Sequence, residues 1–96
     1  MKIAWSRKAE KQLDQIFEYI ADDSAFYAYR TTQNIIEAAE NVTHQPQRGR
    51  MVPEYQREDI REVFYHPYRI IYLLLGDQIE ILSVIHERRL LSNDPG

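Results

Sequence analysis

Cysteine is absent from the 96 residues, which excludes disulfides and thiolate metal sites and removes any reason to expect an oxidising compartment. Glycine is scarce. Gly49, Gly76 and Gly96 stand isolated, so no glycine-rich loop can cradle a nucleotide phosphate. The three histidines, His44, His66 and His86, show no ligand spacing, and neither a metal nor a cofactor is expected. No apolar run approaches the roughly 20 residues that span a bilayer, and the N-terminal MKIAWSRKAEKQL is too charged to be a secretory signal. The expectation is a cytoplasmic protein without membrane contact. An excess of cations is also missing: the formal net charge is −3, which argues against nonspecific nucleic-acid binding.

What is present suits one small domain spanning residues 1–96. Hydrophobic residues make up 44% of the chain, enough for one core and too few residues for two. Lys2 to Trp5 reads as a short strand ended by Ser6, a good helix N-cap. Ala9, Leu13, Ile16, Phe17 and Ile20 then recur at helical spacing, and after a break at ADDS a second stripe follows: Ala28, Thr32, Ile35, Ile36, Ala39 and Val42. Ser24 or Asp23 caps the second helix, and so short a link implies an antiparallel helical hairpin. Residues 45–58 carry two prolines and a glycine among charges and read as a loop. Three strand-like runs follow, Ile60 to Tyr65, Tyr68 to Leu75 and Ile79 to Glu87, with turns at His66-Pro67 and Gly76-Asp77. The predicted fold is α+β, an N-terminal strand and a helical hairpin on one face of a small antiparallel sheet.

Strand alternation places Arg69, Ile71 and Leu73 on one sheet face and Ile70, Tyr72 and Leu74 on the other. The same rule groups Glu80, Leu82, Val84 and His86 against Ile79, Ile81, Ser83 and Ile85. Both faces are therefore apolar although only one is expected to carry helices, which predicts an exposed surface for a partner. All three lysines lie within the first 11 residues and every cation after them is an arginine, a residue suited to bidentate pairing with carboxylate or phosphate.

The linked order of P-x-x-G-R (Pro46, Gly49, Arg50), IREV (Ile60 to Val63), PYRIIYLL (Pro67 to Leu74) and IEILSVIHERR (Ile79 to Arg89) resembles the RelE/ParE superfamily of bacterial toxins, and most closely its ParE branch. That resemblance implies a type II toxin neutralised by a ParD-like antitoxin, with any DNA contact made through the antitoxin. It implies inhibition of DNA gyrase by binding. The alternative is ribosome-dependent mRNA cleavage, as in the RelE branch, which uses strand lysines and arginines with a tyrosine near the C-terminus. Arg61 and Arg69 match cationic positions of that set, and Arg88 or Arg89 a third. Val63 replaces a strand lysine, and the closing LLSNDPG holds no tyrosine. His86, whose imidazole titrates near neutrality, is then the best remaining acid or base, with Glu62 and Glu87 as weaker candidates for a base.

A binding toxin would use Arg61, Arg69, His86, Arg88 and Arg89 as polar anchors among Ile71, Leu73, Phe26 and Tyr29. Arg69 has two readings: a partner anchor removable without loss of fold, or an ion pair with a carboxylate of the loop or a neighbouring strand. Phe26, Tyr27 and Tyr29 cannot all face the core. Glu62 and Glu87 read as ion-pair partners of adjacent arginines, Arg48 and Arg50 as solvated loop cations, and His44 as a helix C-terminal residue favoured by the dipole.

Overall fold

The computed structural model describes residues 1–95. Strand β1 (Lys2–Trp5) leads into helices α1 (Arg7–Ala21) and α2 (Ala25–Asn41) and a 3-10 turn at Val42–His44. Four strands follow: β2 (Arg50–Met51), β3 (Ile60–Tyr65), β4 (Tyr68–Leu75) and β5 (Gln78–His86). Ser6 stops β1 and starts α1, its Oγ accepting the Ala9 N–H at 3.0 Å and donating to the Leu82 carbonyl at 3.1 Å. Ser24 caps α2 by accepting the Tyr27 N–H at 3.2 Å. With only Asp22, Asp23 and Ser24 between them, the helices double back on each other.

The sheet runs in the order β1-β5-β4-β3-β2. Strands β2 to β5 pair antiparallel as the sequence implies, but β1 joins β5 in parallel. The antiparallel meander read from the three strand-like runs is present, and the parallel β1 extends it into a mixed sheet. A strand's own alternation reports its faces and nothing about its partner's direction. Gly76 supplies the positive φ, 58°, at the β4–β5 turn, a backbone state that glycine takes without steric cost.

One sheet face carries the helices. Ala9, Ile35, Ala39 and Val42 pack there on Ile70, Tyr72, Ile79, Ile81 and Val84, all at most 1% exposed. The other face, predicted to be open, is covered over much of its area by the chain itself. Val52 from the loop after β2 caps Ile60, Ile71, Leu82 and Ile85, and Tyr55, Leu73 and Leu91 pack around them. Burying one such aliphatic side chain is worth about 1.5–3 kcal/mol, so this second core gives the loop and the C-terminal segment reason to stay in place.

A one-residue bulge in β5 corrects the predicted faces. Ile71 pairs with Ser83 and Tyr72 with Ile81, which leaves Leu82 as the extra residue. Beyond it the alternation inverts. Val84 joins Ile79 and Ile81 in the helix-side core, Leu82 and Ile85 lie in the second core, and His86, paired with Tyr68, follows Val84 to the helix side.

Candidate functional site

Arg69 points out of β4 into the second face, where it is 5% exposed. Its Nε donates to Glu62 Oε1 at 2.6 Å. Nη1 and Nη2 grip Glu54 by both oxygens at 2.8 Å, and Nη1 also donates to the Arg89 carbonyl at 3.1 Å. One guanidinium thus ties together a neighbouring strand, the loop and the C-terminal segment. Register explains Glu62: it faces Ile71 across the β3–β4 ladder, and its buried side chain receives Arg50 Nε on its second oxygen at 2.7 Å. Glu54 Oε2 also accepts the Leu91 N–H at 3.1 Å.

These contacts set the local electrostatics. The Arg69 hydrogen bonds hold the Glu54 carboxyl at about 2, against the partial burial that pushes it up. Arg69 is raised in turn, first by its bonds to Glu54. Of its two readings, the ion pair is the one the structure contains. That pair gives Arg69 a part in holding the fold, because its removal would leave the buried Glu62 carboxylate with Arg50 alone. Ile71, 1% exposed under Val52, is covered by the loop, whereas Arg69 keeps only a narrow edge toward the groove over Phe64.

Arg61 lies partly buried at the start of β3 and donates from Nε to the Glu58 carbonyl and from Nη1 to the Gly49 carbonyl, each at 3.0 Å. Those bonds fix the loop. Gly49 is needed there for a different reason: its N–H donates to Tyr72 Oη at 2.9 Å, and an added Cβ would lie 2.5 Å from that oxygen. Tyr72 Oη donates onward to the Pro46 carbonyl at 2.8 Å, so the P-x-x-G-R motif is clasped by one buried phenol whose pKa burial raises.

His86 stands at the far end of β5. Its ring meets the Tyr68 ring edge-on at 6.2 Å, and Nδ1 accepts the Arg88 N–H at 3.2 Å, which leaves Nε2 as the protonated nitrogen of the neutral ring. Tyr19, Tyr68, Ile16, Val84 and Arg89 line a groove with it. Arg61 pairs with Tyr72 and His86 with Tyr68, an offset of about 13 Å along β4 at a strand's rise per residue. Arg69 pairs with Ile85 on the opposite face. The structure therefore does not bring His86, Arg69 and Arg61 together. Arg88 and Arg89 are exposed beside His86, and Leu73 lies at the margin of the second core.

On α2, Phe26 and Tyr29 are 66% and 62% exposed. Phe26 contacts the equally exposed Tyr27 edge-to-face at 5.7 Å. None of the three is needed for the core. Among the described residues no three histidine, cysteine or carboxylate side chains converge to hold a metal ion, and no helix is long and apolar enough to cross a membrane.

A groove that the sequence reading passed over lies on the second face. Glu62 and Phe64 share one side of β3 by alternation, and His66 follows them in the turn. The Phe64 ring stacks on His66 at 5.3 Å and 14°, and the Arg50 guanidinium sits 5.2 Å from its centre. Pro53, Glu54, Arg69, Glu87, Arg89 and Leu90 complete a groove of about 540 Å³ around them. The usable signal was period two in REVFYH, which sets Phe64 and His66 beside the arginine of the P-x-x-G-R motif.

Residues 3–91 match the model of the ParE toxin of the type II toxin–antitoxin system, parDE. The chain is 29% identical over 89 residues to the Caulobacter vibrioides protein Toxin RelE2, covering 93% of this chain and 98% of that one. A chain from the chromosomal ParDE system of P. aeruginosa superposes with a TM-score of 0.75 at 24% identity, covering 90% of this chain and 95% of its own, and so shares the fold.

Proposed function

Because the chain belongs to the ParE toxin family of type II toxin–antitoxin systems, we propose that it arrests growth by binding DNA gyrase, without bond-breaking chemistry of its own, and that a ParD-like antitoxin neutralises it by covering its surface in the cytoplasm. One observation carries the binding reading: His86 and Arg69 lie on opposite faces of the sheet. Cleavage of RNA needs an acid, a base and several cations around one phosphate, and of the predicted set Arg69 and Arg61 lie away from His86, leaving the exposed Arg88 and Arg89 beside it. Every nitrogen of Arg69 is already directed at a protein acceptor, which further supports a structural use of that cation.

The available surfaces are the exposed arginines around His86, the aromatic residues of α2 and the groove over Phe64. They suit an interface in which arginine and aromatic side chains carry much of the affinity. The test is a supercoiling and cleavage assay of purified gyrase with the purified chain, run beside a ribosome-bound mRNA cleavage assay. Inhibited supercoiling or trapped DNA cleavage with intact transcripts is expected. Cut transcripts, with cutting lost in His86→Ala, would overturn the binding mechanism in favour of a ribonuclease.

A further inference from the structure

We propose that the groove over Phe64 takes a short acidic segment of the antitoxin, its carboxylates held by Arg50 and Arg89 and an apolar side chain resting on the Phe64 ring. This deepens the reading above and rests on it. The groove is walled by Pro53 and Leu90, and Leu90 is 85% exposed, so apolar contact surface is left uncovered by the chain itself.

The charges beside it are unevenly matched. Each nearby carboxylate already has a cation or ring nitrogen: Glu54 has Arg69, Glu62 has Arg69 and Arg50, and Glu87 Oε2 lies 3.1 Å from His66 Nδ1. The cations are not used up. Arg50 donates only through Nε, and the Nη1 and Nη2 edge of its guanidinium has no protein acceptor among the described residues. The Arg89 side chain is exposed and likewise has none. Arg50 is also held in place by Glu62 behind it and Phe64 beneath it, so its free edge loses little freedom on accepting a carboxylate fork.

A protein segment fits these features better than a nucleic acid. A polyanion meets a net charge of −3 and the carboxylates Glu54 and Glu87 at the groove itself, whereas extended binding of a phosphate backbone draws on several free cations in a row. One or two carboxylates flanking an apolar residue match two free arginine edges flanking a ring.

The test uses the full chain and the antitoxin protein encoded beside it. In Arg89→Lys a carbodiimide should join the new amine to an aspartate or glutamate of the bound antitoxin, identified by mass spectrometry, and Arg30→Lys on the outer side of α2 should give no such link. Arg89→Gln, which removes an exposed side chain without a protein partner, should weaken the complex about tenfold. Arg50→Gln should act in the same direction. A complex that forms with unchanged affinity in Arg89→Gln and without a cross-link at position 89 would overturn the inference and leave the toxin–antitoxin reading standing. Failure of the wild-type chain to bind the antitoxin at all would sink both. A short single-stranded RNA that competes with the antitoxin, and stops competing in Arg89→Gln, would reassign the groove to nucleic acid and overturn the proposal.

Discussion

Arg69 and Glu54 form a two-pronged ion pair, Nη1 to Oε2 and Nη2 to Oε1 at 2.8 Å each, that binds a central strand to a loop 15 residues earlier in the chain. The pair makes stability depend on acid. Glu54 is depressed from an ordinary 4.5 to about 2, so the folded protein binds fewer protons than the unfolded one between those values. Its contribution is fully present above pH 4.5 and is lost as pH falls through about 2. Urea denaturation across that window should show a decline of roughly 2–3 kcal/mol attributable to this group, and Glu54→Gln should flatten it. An unchanged slope in the variant would remove Glu54 from the account.

Arg69→Ala should destabilise the fold by about 3–5 kcal/mol, because it strands the buried Glu62 carboxylate with Arg50 as its one remaining cation. The measurement is the denaturation midpoint. Arg69→Lys should recover only part of the loss, since one ammonium cannot reproduce the fork on Glu54 and the bond to Glu62 together. A variant as stable as the wild type would instead restore the view of Arg69 as a free anchor.

Gly49 and Tyr72 should behave as one unit. Gly49→Ala places a methyl 2.5 Å from Tyr72 Oη and 2.7 Å from the Glu62 carbonyl oxygen, and Tyr72→Phe strips the Gly49 N–H and the Pro46 carbonyl of their partner. Each should cost about 1–3 kcal/mol. In a double-mutant cycle the two should be clearly non-additive, because the phenol oxygen that Gly49→Ala crowds is the one Tyr72→Phe removes. Simple additivity would mean that the clasp is not the shared cause.

Much of this architecture was legible in the chain. The helical stripes from Ala9 and Ala28, the caps Ser6 and Ser24, and the runs Ile60 to Tyr65 and Tyr68 to Leu75 follow from period and cap chemistry, which are local properties. What stayed hidden is non-local. The bulge at Leu82 shifts the register by one residue without any mark in a run of Ile, Leu, Ser, Val and Ile, and so plain alternation groups Val84 and His86 with Leu82, from which the bulge separates them. Val52, Tyr55 and Leu91 are single apolar residues in polar stretches, with no period to announce that they close a second core. Arg69 and Glu62 sit in motifs read for function, yet their registers, Phe64↔Arg69 and Glu62↔Ile71, turn both onto the same covered face and make them partners.

The C-terminal segment should be held by its apolar plug and by Glu54 together. Leu91 packs against the second core, its N–H donates to Glu54 Oε2 at 3.1 Å, and Tyr55 Oη donates to the next carbonyl, that of Ser92, at 2.7 Å. Leu91→Ala removes part of the apolar contact and should cost about 1–2 kcal/mol, less than a fully buried leucine because the site is half-exposed. Glu54→Gln weakens the acceptor for the Leu91 amide while leaving the plug in place. Both variants should speed hydrogen exchange at that amide and trypsin cleavage after Arg88 and Arg89, with the β3–β4–β5 ladder still protected. Exchange that accelerates equally throughout the ladder would instead mean that the segment opens only with the whole fold, so that the loop, tail and sheet form one cooperative unit around Arg69.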